Sequence, residues 1–315
     1  MNVLKHLQVM ASSFAMVALG AVWVGDAHAD DHTGGENITY KSIKLDENIW
    51  IFQGEGGFTG GNILVSKGVD GVVMVDDGLP KFFDLLNKTV SSAVGQPVDY
   101  ILNTHLHGDH TGNNAAFAQS GSHIIAHQNV RNKMLKDNAD PKQLPVFTFQ
   151  KQFNAYLNGH SLHAVHVMHA HTDGDAFIHY PDLNLVHTGD IFFNGLFPFI
   201  DLNNGGSVKG YIEAQQAILS RINSDARVVP GHGPIASKAD LIKANTMLKN
   251  SADIILALIY KGKTKEDVIA ANPLKFYHDE WSWGFITTEK FTATLYDSLY
   301  ADATQGGIDH SGHNH

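Results

Sequence analysis

His105-Leu106-His107-Gly108-Asp109-His110 is the run that decides the reading of this chain. It sets three imidazoles and one carboxylate within six residues. A tetrahedral metal shell is built from such nitrogen and carboxylate-oxygen ligands. The segment before it, Val98-Asp99-Tyr100-Ile101-Leu102-Asn103, reads as a buried strand. Loops that leave a strand end commonly carry binding and catalytic groups. The chain holds 20 His, so chance clustering competes with this reading. Four potential ligands packed directly behind an apolar strand outweigh that alternative.

Composition narrows the chemistry. The chain has 315 residues, no Cys and a formal net charge of −10. Without thiolates, a metal shell must be His and carboxylate only, and no disulfide can form. No basic patch is present, which argues against nucleic acid as a partner. A small-molecule substrate is the partner expected, and the oligomeric state is left open.

The N-terminus reads as a targeting segment. Lys5 and His6 give a short basic start, and Leu7 to Val24 carry no charge. Ala27-His28-Ala29 then offers small residues for a signal peptidase. Ser12, Ser13 and Gly20 interrupt the apolar stretch, which favours cleavage after Ala29 over a retained anchor. A periplasmic or secreted protein is expected, with no membrane insertion after cleavage. No later stretch reaches the roughly 18 apolar residues of a spanning helix.

Further along, residues 30–44 read as a flexible N-terminus. Ile49–Gln53, Asn62–Ser66 and Val72–Val75 read as strands, split by a glycine-rich loop with Phe58 at its centre. Pro80–Ser92, Asn113–Gln119, Asn129–Asp137 and Val208–Ile222 have helical spacing. His123–Ala126 and Arg227–Val229 read as strands, and 146–168 and 175–188 as strands and turns. Ser237-Lys238-Ala239-Asp240 and Thr264-Lys265-Glu266-Asp267 have the form of capping boxes that open helices. Thr287–Tyr300 reads as the last helix. Residues 45–236 are expected to form one domain, with helices from 237–300 packed on it. Residues 301–315, ending His310-Ser311-Gly312-His313-Asn314-His315, read as a disordered tail.

Three more ligand-bearing pieces fall at loop positions. They are His171-Thr172-Asp173-Gly174-Asp175, His187-Thr188-Gly189-Asp190, and His232 between Gly231 and Gly233. His169, His163 and His187 read as core or surface histidines.

The order H-x-H-x-D-H, then His, then Asp, then His resembles the metallo-β-lactamase superfamily. Val75-Asp76-Asp77-Gly78 is similar to that family's first motif, and the resemblance spans roughly residues 45–235. It implies an α+β fold, an αββα sandwich with a C-terminal helical extension. It also implies that His105, His107 and His171 hold one metal, that Asp109, His110 and His232 hold a second, and that Asp190 bridges them. His169 competes with His171, but the Thr-Asp-Gly after His171 fits the family pattern. Asp76 would fix the ligand loop by hydrogen bonding. Two zinc ions are the expected cofactors, with iron or manganese left open. A zinc pair brings the ionisation of water close to neutral pH, so no Ser or Cys nucleophile is required. Asp109 would ligate and orient the attacking water, which makes it the expected catalytic residue.

The substrate is less constrained. Some β-lactamases of the family place Cys where Asp190 stands and Lys three residues on. Here Asp190 is followed by Ile191-Phe192-Phe193. An Asp at this place resembles glyoxalase II and lactonases instead. Phe58, Phe192 and Phe193, with Phe197 and Phe199 nearby, are candidates for an apolar substrate pocket. The expectation is a hydrolase of an ester, lactone, thioester or amide. The alternatives are β-lactam hydrolysis, a mononuclear iron sulfur-oxidising enzyme of the same fold, and a non-enzymatic zinc-binding protein.

Overall fold

Between residues 49 and 52, Ile49 and Ile51 turn one way, Trp50 and Phe52 turn the other, and all four are buried. Successive side chains of a strand face opposite sides, so a strand buried on both belongs inside a layered structure. The computed structural model describes residues 37–305. Its first sheet runs in chain order: β1 (Thr39–Asp46), β2 (Ile49–Glu55), β3 (Ile63–Gly68), β4 (Gly71–Val75), β5 (Tyr100–Leu102), β6 (His123–His127) and β7 (Phe147–Phe149). The first four strands pair antiparallel, and β4 to β7 pair parallel. The second sheet holds β8 (Gln152–Leu157), β9 (His160–His166), β10 (Ala176–Tyr180), β11 (Leu185–His187), β12 (Arg227–Val229) and β13 (Ala236–Ser237), with β11 and β12 parallel.

The sheets meet through Ile49, Ile51, Val73, Val75, Leu102 and Ile125 on one side and Leu162, Ala164, Ile178, Leu185 and Val229 on the other. The outer face of the first sheet is covered by α1 (Phe83–Val94), through Leu86, Val90 and Val94, and by Phe117 of α3 (Asn114–Gln119). The short α2 (Gly108–Thr111) precedes α3, and α4 (Gln128–Lys136) follows β6. The outer face of the second sheet is covered by α5 (Val208–Leu219), α6 (Lys238–Tyr260) and α9 (Thr288–Gln305), with α7 (Lys265–Ala271) and α8 (His278–Trp281) between the last two. The layers are therefore helix, sheet, sheet, helix. Both capping boxes form, at Ser237 with Asp240 and at Thr264 with Asp267.

Parallel pairing fixes where the loops emerge. Val75 pairs with Leu102, and His187 pairs with Val229. The segments that leave β4 and β5 therefore start side by side, as do those that leave β11 and β12. These four exits carry the motif residues.

Three expectations change. Residues 39–44 are not a loose N-terminus but most of β1, paired with β2 along its length. The last helix runs to Gln305 rather than ending at 300. Residues 108–111 form a helical turn rather than a plain loop. The expected leader at 1–29 and the tail histidines beyond 305 lie outside the described residues. Among the described residues, no helix is long and apolar enough to cross a membrane.

Candidate metal centre

All seven ligand candidates converge at the strand exits. His105, His107, His171 and Asp190 form one group, and Asp109, His110 and His232 form another. His105 and His107 leave β5, and the α2 turn swings Asp109 and His110 back beneath them. His171 comes from the β9–β10 loop, Asp190 follows β11, and His232 follows β12. Gly189 takes φ +52° in the turn that presents Asp190, a conformation glycine adopts without steric cost. At Gly231 a Cβ would lie 2.0 Å from Asp190 Oδ1, so only glycine fits against the carboxylate.

Each imidazole of the first group is anchored through the nitrogen that faces away. His171 Nδ1 donates to the Phe199 carbonyl at 2.8 Å. His107 Nε2 donates to Asp201 Oδ2 at 2.9 Å. Thr104 Oγ1 donates to Asp76, so it accepts from His105 Nδ1, at 3.0 Å. These partners leave His105 Nε2, His107 Nδ1 and His171 Nε2 as bare lone pairs. They nevertheless stand 3.1 and 2.8 Å apart, centred on His107. Lone pairs at that range repel unless a cation lies between them. Asp190 Oδ2 completes the group, 3.7 Å from His105 and 3.5 Å from His171.

The second group has the same character. His110 Nδ1 donates to Asp76 Oδ2 at 2.8 Å, which turns the Nε2 lone pair inward. His110 Nε2 lies 3.1 Å from Asp190 Oδ1, 3.3 Å from Asp109 Oδ2 and 3.4 Å from His232 Nε2. His232 Nε2 lies 3.2 Å from Asp109 Oδ2. A tetrahedral shell with bonds of about 2.0–2.1 Å has edges of about 3.3–3.4 Å. Asp190 Oδ1 is buried, yet no donor points along its lone pairs. Spacing, bare lone pairs and the orphaned oxygen all fit a metal in each group.

Protonation is consistent with this arrangement. Burial holds His105 well below its ordinary value and lowers His171 to about 4, so both are neutral. Burial also opposes charge on His232, but Asp190 and Asp109 outweigh it and push His232 up to about 9. His110 is raised by the same carboxylates against its burial. Protein stripped by a chelator therefore balances its carboxylates with protons on His110 and His232. Metal ligation requires the neutral ring. Zinc affinity of the stripped protein should thus rise with pH up to about 9, where His232 is half deprotonated without metal. Competitive zinc titrations across this range read the slope, and a flat profile would remove His232 from the ligand set.

Asp76, predicted to steady the loop, accepts from Thr104 N at 2.7 Å and Thr104 Oγ1 at 2.8 Å as well as from His110. Asp201 and Tyr211 were not anticipated. Asp201 orients His107, and Tyr211 donates to the backbone carbonyl of Asp190 at 2.7 Å. His169 points elsewhere, to the Gly205 carbonyl. His187 donates from Nε2 to the Asn62 carbonyl in the core. Phe58 and Phe193 both stack on His232, with centroids 5.6 and 5.0 Å away. Phe192 does not line a pocket: it is fully buried in the core under α5 and α6. Phe192 is extended, so its neighbour Phe193 faces the opposite way.

Comparison with known proteins agrees with the geometry. The sequence model of the metallo-beta-lactamase superfamily matches residues 56–233. A hydroxyacylglutathione hydrolase from Polaromonas sp. strain JS666 is 28% identical over 193 residues, which cover 59% of this chain and 65% of that relative. The match thus spans a little under two thirds of the relative's length. Among solved structures, a metallo-beta-lactamase from Pontibacter korlensis superposes with a TM-score of 0.59 at 19% identity, covering 67% of this chain and 100% of its own. DIM-1 metallo-beta-lactamase gives 0.57 at 17% identity, covering 68% of this chain and 100% of its own. At these identities the structural matches speak for the fold alone.

Proposed function

Because the chain belongs to the metallo-β-lactamase superfamily, we propose that it is an exported hydrolase that binds two zinc ions and cleaves an ester, lactone, thioester or amide bond. The observation that carries this reading is Asp190, which offers Oδ2 to one ligand group and Oδ1 to the other. A divalent pair held by these two groups would supply a Lewis acid for a carbonyl oxygen and would bring the ionisation of water close to neutral pH.

The chain's own groups do the rest. Asp109 is the more open of the two ligating carboxylates, 20% exposed against 5% for Asp190. Its position lets it accept a hydrogen bond from the incoming water and aim that water at the scissile carbonyl. Asp190 stays buried and keeps the two groups in register. Asp201 and Asp76 hold His107 and His110 at fixed angles, so little reorganisation is needed when charge develops. His107 and His232 are 21% and 12% exposed, and with Asp109 they mark the open side by which substrate enters.

The test starts from protein recovered from the periplasmic extract of a bacterial host, whose N-terminus should read from Asp30. Metal analysis should find about two zinc per chain. Chromogenic esters, lactones, thioesters and cephalosporins are then assayed side by side. Turnover that a chelator abolishes and zinc restores supports the hydrolase. A single iron with oxygen consumption, or inactivity across the whole panel, would overturn it.

A further inference from the structure

Beside the metal ligands lies a cavity of about 380 Å³, walled by Phe58, Leu196 and Trp283 with His232 at its base. Trp283 belongs to the segment between α8 and α9, beyond residue 233 where the family match ends. The contacts of Trp283 tie this segment into an aromatic arc. Phe58 meets His232 at 5.6 Å, His232 meets Phe193 at 5.0 Å, and Phe193 meets Trp283 at 6.1 Å. Trp283 meets Phe285 at 5.5 Å, Phe285 meets Phe199 at 5.3 Å, and Phe199 stacks on His107 at 5.8 Å. The arc therefore runs from a ligand of one metal group to a ligand of the other.

The wall is held in place. Trp283 Nε1 donates to the Phe197 carbonyl at 2.9 Å, and Phe197 N donates to the Trp281 carbonyl at 2.7 Å. Trp281 itself is buried in the core. Phe58, 45% exposed, contributes an apolar face from the glycine-rich loop. Apart from His232, the charged side chains that line the cavity are Lys41 and Glu55. They pair with each other at 3.4 Å and neutralise one another. Gln53 and Asn62 spend their amides on each other and on carbonyls of the His232 loop. Lys290 sits over the Phe285 ring and donates to the Phe285 carbonyl. Apart from the metal group itself, the cation that the described lining residues offer a carboxylate is Lys41, which already faces Glu55.

We infer that the 282–287 segment is a specificity wall and that the substrate is a neutral ester or lactone with an apolar acyl chain or ring laid along Trp283 and Phe58. This rests on the hydrolase reading and narrows it: glutathione thioesters, which carry anionic groups, are poor substrates.

Activity on p-nitrophenyl acetate, butyrate and hexanoate tests the inference. Each added pair of methylenes should raise kcat/KM roughly 3- to 10-fold in the native protein, mainly through KM. Trp283→Ala should lower the hexanoate-to-acetate ratio about tenfold. Phe58→Ala, at a half-exposed position where folding is not at risk, should lower it as well. Trp283→Phe, which keeps an aromatic face, should retain most of the ratio. Phe276→Ala, an exposed ring elsewhere in the C-terminal segment, should leave it unchanged. A ratio insensitive to both Trp283→Ala and Phe58→Ala overturns the wall while the hydrolase stands. Preference for a hydroxyacylglutathione over the hexanoate ester does the same. If the zinc-loaded protein turns over nothing, the hydrolase reading fails, and calorimetric binding of hexanamide judges the wall alone. Binding that Trp283→Ala weakens supports the wall, and absence of binding overturns it.

Discussion

Asp190→Asn should reduce turnover of the best substrate by a factor on the order of 10²–10³ and bring bound zinc from about two per chain to one or fewer. The carboxylate presents two equivalent oxygens, and each serves a different set of histidines. Oδ1 lies 3.1 Å from His110 Nε2, and Oδ2 lies 3.5 Å from His171 Nε2. An amide has the same shape but only one oxygen. Its NH2 end has no lone pair to donate, so whichever group it faces loses a ligand and gains two N–H dipoles pointed at a cation. The substitution also removes a negative charge that would offset a pair of bound cations. Because the amide is isosteric and Gly231 leaves no room for a larger shift, the backbone should hold its place. The variant should still fold, with a somewhat lower Tm in chelator because His110 and His232 lose a counter-charge, while zinc content and kcat both fall. Undiminished zinc content would mean that Asp190 does not bridge.

The ligand candidates were legible because metal chemistry restricts residue type and spacing together. Three His and an Asp behind Val98–Asn103, and a His or Asp after three of the later strands, leave few other readings. The residues that steady those ligands were not legible in the same way. Asp201 sits in Asp201-Leu202-Asn203-Asn204, whose local signature is a turn. Its Oδ1 does accept from Asn203 N and Asn204 N. That Oδ2 reaches His107, 94 positions away, is a tertiary fact with no sequence trace. Phe192 and Phe193 looked like one apolar patch, but an extended backbone sends neighbours to opposite sides, one into the core and one to the site. β1 was hidden by its own charges. Lys41 and Lys44 read as part of a flexible N-terminus, yet an edge strand can carry such residues on its open face. Trp283 and Phe285 reach the site from some fifty residues past the last ligand, His232, and only the packing of α8 and α9 brings them there.

Asp76→Ala should cost about 3–5 kcal/mol of stability, or very roughly 6–15 °C in Tm for a domain of this size. The carboxylate is fully buried and accepts from three donors: Thr104 N, Thr104 Oγ1 and His110 Nδ1. Truncation strands all three where water does not reach them. Asp76 also takes φ +60°, a conformation that Asp and Asn tolerate and Ala does not. Asp76→Asn separates the two effects. The amide keeps the backbone geometry and its oxygen still accepts from Thr104 N, so part of the stability should return, although the NH2 takes the place of the oxygen that Thr104 Oγ1 and His110 Nδ1 share. Its NH2, however, then meets the His110 Nδ1–H, donor against donor. The ring is relieved by moving that proton to Nε2, the nitrogen that should face the metal. Zinc at the second group should therefore bind roughly 10- to 100-fold more weakly in the Asn variant even though the protein is folded. Calorimetric zinc titration beside a thermal melt reads both quantities. Recovery of zinc affinity in step with stability would show that His110 is aimed by the packing of α2 alone, without the hydrogen bond to Asp76.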